Sequence, residues 1–223
     1  MLDTILGLRD VLLQGTLDTL YMVCAATLFA YLLGLPLGVL LYTTGKGGIH
    51  ENEPVHKVLG WVVNIGRSIP FIILIVALIP FTRLVVGKAI GATAAIVPLV
   101  IGAAPFVARL VEQSLAEVDI GVIEAARCMG ASRLQIIFHV LLGEAVPSLI
   151  RGFSITAITL IGYSAMAGAV GAGGLGDIAI RYGYHRYQPD VMLFTLVLLV
   201  VIVCLIQFIF GFTANRIDKR NRA

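Results

Sequence analysis

Residues 191–212 read VMLFTLVLLVVIVCLIQFIFGF, twenty-two consecutive positions without a charge and with no side chain more polar than Thr195 before Gln207. At 1.5 Å of rise per residue such a run makes a helix of about 33 Å, enough to cross a hydrocarbon core of about 30 Å. The solvent of this segment is lipid. Working back along the chain, four more runs of this kind emerge: Leu17 to Tyr42, Val58 to Phe81, Ala89 to Leu110 and Ser148 to Ala172. They leave no stretch over for a soluble domain. The sequence therefore predicts one all-α integral membrane domain over residues 1–223 with five transmembrane helices, the last of them packed toward lipid.

The composition agrees. Only 13% of the 223 residues are charged and 59% are hydrophobic, against about 25% charged in an ordinary soluble domain. A net charge of +3 is too small and too dispersed to grip a phosphate backbone, so no nucleic acid partner is expected. Cys24, Cys128 and Cys204 lie far apart, two of them inside apolar runs. They read as small hydrophobes, not as disulfide partners or metal ligands. The first run is too long for the apolar region of a signal peptide, and Asp3, Arg9 and Asp10 precede it in place of a clean basic region, so it is expected to remain in the mature protein.

Five spans put the termini on opposite sides of the membrane. With the carboxyl terminus in the cytoplasm, eleven Lys and Arg residues fall on the cytoplasmic side and five outside, the asymmetry that membrane insertion favours. The amino terminus is then outside. The basic tail from Arg216 to Arg222 reads as a topology anchor beside anionic lipid.

Between the third and fourth runs, Glu112 to Pro147 forms the longest stretch without a span, and it reads as two short helices on the cytoplasmic face. Asp119 can cap the first and Gly130 supplies the left-handed residue that ends it, while Ser132 and Gln135 form a capping box for the second. One reading is an amphipathic helix lying on lipid. The residue choice favours another: alanines at 125 and 126 leave a flat surface, Glu124 offers a single charge, and Gly130 permits close approach, as docking into another protein's groove requires.

The stretch Glu124-Ala-Ala-Arg-Cys-Met-Gly130, followed by Val140-Leu-Leu142, resembles the EAA loop of ABC importer permeases, whose pattern is E-A-A, three residues, Gly, nine residues, then I-x-L-P. The spacing fits throughout, with Val140 in place of isoleucine and Gly143 in place of proline. Similarity to the permease family of methionine importers extends through Arg67-Ser-Ile-Pro70, Ile79-Pro-Phe-Thr-Arg83, Gly102-Ala-Ala-Pro-Phe-Val-Ala-Arg109 and Gly162-Tyr-Ser-Ala-Met166. The resemblance implies the fold of a type I ABC importer permease, with Glu124, Ala125, Ala126, Gly130 and Ala131 coupling it to an ATPase. It further implies a homodimer, two ATPase subunits in the cytoplasm that bind ATP and Mg, an extracytoplasmic methionine-binding protein, and no cofactor on this chain. The cargo would be L- and D-methionine, or another amino acid or small solute of the same importer class.

Other patterns carry less. Gly171-Ala-Gly173-Gly-Leu-Gly176 satisfies G-x-G-x-x-G, but a membrane helix precedes it where a dinucleotide site needs a strand, so a bent loop is expected. No phosphate-binding G-x-x-x-x-G-K-[ST] occurs, and this chain alone is not expected to hydrolyse ATP. Ser164 and His185 raise an intramembrane hydrolase, against which a serine bonded within its own helix is the simpler expectation. Arg67, near the inner end of the second run, reads either as snorkelling to the interface or as a structural charge in a salt bridge. Prolines 70, 80, 98 and 105 would loosen the helices that hold them. Thr156, Thr159, Tyr163 and Met166 follow steps of three, four and three, one face of the fourth span, and are the candidate translocation pathway or gate. Five spans cannot divide into two equal inverted halves, which disfavours a secondary transporter built on that plan.

Overall fold

A computed structural model describes residues 7–218, and every regular element among them is helical. Asp3 and the tail from Lys219 onward lie outside the described residues. The chain runs through α1 (Arg9–Thr44), α2 (Glu53–Ser68), α3 (Phe71–Ala77), α4 (Ile79–Val86), α5 (Ala92–Ala116), α6 (Ile120–Cys128), α7 (Arg133–Ala169), α8 (Gly174–Ile178) and α9 (Pro189–Ile217). Four of these, α1, α5, α7 and α9, are long and apolar enough to cross a membrane, and a fifth crossing is reached if α2 and α3 count together.

The core is built on α5 packed along α1. Gly34 and Gly38, one turn apart on α1, lie against Val107 and Val111 of α5, and a Cβ at either glycine would come within 2.6 Å of those side chains. Lipid gives apolar helices no reason to associate, so close backbone approach through small residues supplies the attraction instead. Ala103, Ala104 and Ala108 continue the small-residue seam on the α5 side. The Gly34-Leu-Pro-Leu-Gly38 spacing was a sequence signal for this contact. By contrast α9 buries only Val191, Thr195 and Ala214 and turns the rest of its surface outward, as expected of a lipid-facing helix.

The second predicted span, Val58 to Phe81, is not one helix. Ile69 is extended and Pro70 lacks the N–H that would continue the ladder, so α2 and α3 meet at a bend of 96°. Pro80 begins α4, where a missing N–H costs nothing. Pro98 and Pro105 sit inside an unbroken α5, whereas Pro70 and Pro80 each stand at a break between helices.

The segment between the third and fourth runs also differs from its reading as two short helices. The first is present as α6. The second does not end, because its capping box at Ser132 and Gln135 starts a helix that passes through a π-helical turn at Ile136–Leu141 and continues to Ala169. Gly143 and Pro147 are absorbed within it. Two polar ties hold the helices together near this end. Arg109 donates to Glu112 at 2.6 Å and to Asn64 of α2 at 3.0 Å, and Arg151 of α7 pairs with Asp218 at 2.8 Å.

Candidate functional site: a docking face and a membrane cavity

Helix α6 closes its own ends. The Asp119 carboxylate accepts from Gly121 N–H at 2.6 Å. At the other end Gly130 takes a left-handed φ of +80°, its N–H bonds to Arg127 O at 3.0 Å, and Ala131 N–H bonds to Ala126 O at 3.1 Å. That pair of bonds is a Schellman cap. Ile123 and Ala126 turn inward, in one apolar cluster with Ile136 and Leu141 of α7. Glu124, Ala125 and Gly130 turn out, joined by the apolar side chains of Ile120, Leu134 and Phe138 and by Met129, which is 82% exposed. The five residues singled out in the sequence thus divide: Glu124 and Ala125 form the open surface, while Ala126, Gly130 and the half-buried Ala131 shape it.

Beside α6 lies a cleft of about 460 Å³, bordered by Lys46, His56, Glu112, Glu124 and Arg127. Arg133 donates to His50 Nδ1 at 2.9 Å, fastening the loop after α1 to the start of α7. Sequence reasoning missed this tie, because the two residues stand 83 positions apart.

The pathway stripe is likewise divided. Thr156 is fully buried, its hydroxyl donating to Gly152 O at 2.9 Å and lying against Tyr31, so it does not reach the subunit surface. Thr159 is half-buried and donates to Ile155 O at 2.8 Å. Tyr163 stacks on Phe71 with ring centroids 4.5 Å apart and planes 3° from parallel. Met166 is about half exposed. Thr195, expected to face away on the fifth span, is fully buried and bonds to Val191 O and Met192 O.

Tyr163 and Phe71 border a cavity of about 130 Å³, with Gly66, Arg67, Ile69, Leu74, Gly102 and Phe106. Arg67 is exposed and forms no salt bridge with a described residue of its own subunit. A Cβ at Gly66 would meet the Pro105 ring at 2.6 Å, and Pro105 stands midway along α5.

The remaining candidates dissolve. The Ser164 hydroxyl donates to Ile161 O at 2.8 Å and the His185 ring meets Tyr184, so no Ser–His pair forms. The 171–176 glycines make the expected bent loop, with left-handed φ at Gly171, Gly173 and Gly174. No group of residues suited to a metal occurs among the described residues.

Residues 34–223 match the family described as the binding-protein-dependent transport system inner membrane component. This chain belongs to that family. The permease is 57% identical over 211 residues to the probable D-methionine transport system permease protein MetI of Vibrio cholerae, covering 95% of this chain and 94% of that one. It is 51% identical over 207 residues to the methionine import system permease protein MetP of Bacillus subtilis, covering 93% of each. Its fold superposes with a TM-score of 0.93 on a chain of the MetNI methionine ABC transporter solved in inward facing conformations, at 52% identity over 95% of this chain and 98% of that one. The all-α type I importer fold, the transport role and the inner-membrane setting are thereby established for the permease.

Proposed function

We propose that this permease imports methionine, in its L and D forms, by alternating access driven by a separate ATPase. The observation that carries the reading is the identity of 57% and 51% to methionine permeases over nearly full length. The geometry supports it. A self-capped α6 with an open face of Glu124, Ala125 and Met129 suits a rigid element seated in an ATPase subunit, and two such subunits on a permease homodimer supply ATP and Mg binding that this chain does not. An extracytoplasmic methionine-binding protein delivers the cargo. The amino terminus is outside and the carboxyl terminus cytoplasmic, so that α6 meets the ATPase. Thr159, Tyr163 and Met166 border the pathway, with Thr156 as buried support behind them.

Uptake of radiolabelled methionine into proteoliposomes holding permease, ATPase and binding protein tests this. Transport should require internal ATP and survive an ionophore that collapses ion gradients. Uptake driven by an ion gradient without ATP would instead make it a secondary transporter, and ATP-driven uptake of a different solute alone would overturn the cargo.

A further inference from the structure

Threonines buried in these helices turn their hydroxyls back on their own backbone. Thr19, Thr27, Thr43, Thr44, Thr156 and Thr195 each donate to the carbonyl four residues earlier, at 2.6 to 2.9 Å. Thr82 of α4 is only 3% exposed, yet its hydroxyl has no hydrogen-bond partner among the described residues. It borders a cavity of about 210 Å³ enclosed by α3, α4, the start of α5 and the end of α7. A hydroxyl buried without a partner carries a cost that a bound group can remove.

The cavity is otherwise apolar. Ile75, Ala94 and Ala95 belong to its buried floor, and Ile79, Ile90 and Val170 stand exposed at its mouth. An apolar cavity of about 150 Å³ already takes up a molecule the size of benzene, so this one has room for an unbranched side chain. No charged residue borders it, and an ionised group would be buried there at high cost. Its position joins it to the proposed pathway. Thr159, Tyr163, Met166 and Val170 follow steps of four, three and four, one face of α7 and the residue that ends it. Ile75 lies one turn beyond Phe71, which stacks on Tyr163. The cavity meets α5 between Gly91 and Pro98, whereas α6 follows the opposite end of that 25-residue helix, about 37 Å long. In the orientation proposed above this is the outer end, where cargo enters.

We propose that this cavity takes the thioether side chain of the amino-acid cargo, with Thr82 donating to the sulfur and the charged amino and carboxyl groups left in water at the mouth. A thioether is a slender apolar chain with one weak acceptor, and the wall offers apolar contact with one free donor. A lipid acyl chain would fill the cavity but leave Thr82 unpaired. Water would pair with Thr82 but not with the rest of the wall. The proposal rests on the import function above and names the part of the cargo that the permease itself reads.

The test illuminates the complex of permease and ATPase in liposomes, without the binding protein, in the presence of a methionine analogue carrying a diazirine in place of sulfur, and maps the label by mass spectrometry. Label is expected on peptides holding Thr82, Ile90 or Val170. Excess methionine should suppress it, and norleucine, with a methylene in place of sulfur, should need about threefold more, as loss of one weak hydrogen bond requires. Thr82→Val should erase that difference. Ile90→Trp at the exposed mouth should reduce both the label and ATP-driven uptake by the complete transporter at least about fivefold, as overpacking requires. No label at the cavity, label that methionine does not displace, or equal suppression by methionine and norleucine overturns the proposal. Labelling of the same peptides by a diazirine-bearing phospholipid that methionine leaves unchanged assigns the cavity to lipid and overturns it too. If Thr82→Val fails to assemble with the ATPase, Thr82→Ser, which keeps the hydroxyl, against Thr82→Ala gives the same reading, and failure of all three to assemble makes Thr82 structural and overturns it. Wild-type vesicles without methionine uptake would fail the import function itself, whereas active vesicles without label at the cavity fail only this inference.

Discussion

Two short helices interrupt the long ones, α6 between α5 and α7 and α8 between α7 and α9, and they satisfy their backbones in opposite ways. Helix α6 draws every terminal bond from its own neighbourhood, from Asp119 at one end and the Arg127 and Ala126 carbonyls at the other. Helix α8 borrows. Leu175 N–H donates to the Thr19 hydroxyl of α1 at 2.9 Å, and the loop before it accepts from Gly91 N–H through Gly171 O at 3.0 Å. A helix that closes its own bonds can shift as a unit and offer its outer face to another protein. One that borrows from several spans cannot leave them without orphaning buried groups.

The packing repeats the contrast. At Gly176 of α8 a Cβ would lie 2.5 Å from Ala165 Cα and O in α7, whereas at Gly130 nothing lies within 4 Å. The largest effect is therefore expected from Gly176→Val, which forces α8 off α7. Overpacking of this kind should cost about 3 kcal/mol, read as a sharp fall in the folded yield and thermal midpoint of the detergent-extracted permease. Wild-type stability in that variant would remove the distinction between the two helices.

Much of this contrast was legible beforehand. The α6 cap residues, the left-handed Gly130 and the bent glycine loop at 171–176 follow from local backbone chemistry, which sequence spacing reports directly. So did the apolar runs. What was not legible depended on distant partners: Thr19 beneath α8, His50 beside Arg133, and Tyr31 against Thr156 meet only because α1 crosses the whole bundle. The stripe on α7 illustrates the cost, since helical spacing places Thr156 and Met166 on one face but does not say which end of that face a neighbour covers. Likewise Pro70 and Pro105 read alike in sequence, and only packing decides that α5 stays unbroken while α2 and α3 part. In sequence Pro147 marks a boundary, whereas a helix that reaches it through a π-helical turn carries it inside.

A middle-sized effect is expected at Gly130. Valine there meets no neighbour, so the cost is the left-handed conformation alone, about 1–2 kcal/mol, concentrated in the Schellman cap. Gly130→Val should leave the folded yield near wild type but rotate the end of α6, so that co-purification with the ATPase and ATP-driven uptake are lost together. Gly130→Asn, which tolerates left-handed φ, should retain most of both. Wild-type assembly and uptake in the valine variant would mean that α6 is not the docking element.

The smallest effect belongs to Asp119, and it tests how far α6 depends on its cap. Removing an N-cap carboxylate typically costs about 1 kcal/mol. Here the Gly121 N–H that it satisfies is exposed, and water can replace the carboxylate. Ile123 and Ala126 remain buried against α7, so the helix keeps its inward anchor when its first turn frays. Asp119→Ala should thus change the thermal midpoint little and reduce uptake by less than about twofold, with Asp119→Asn closer still to wild type because its side-chain oxygen still accepts. A collapse of uptake in Asp119→Ala with full rescue in Asp119→Asn would show that the cap, rather than the apolar anchor, holds α6 rigid. In that case the self-contained helix owes its stiffness to one exposed hydrogen bond, and the contrast with α8 narrows to the packing of Gly176.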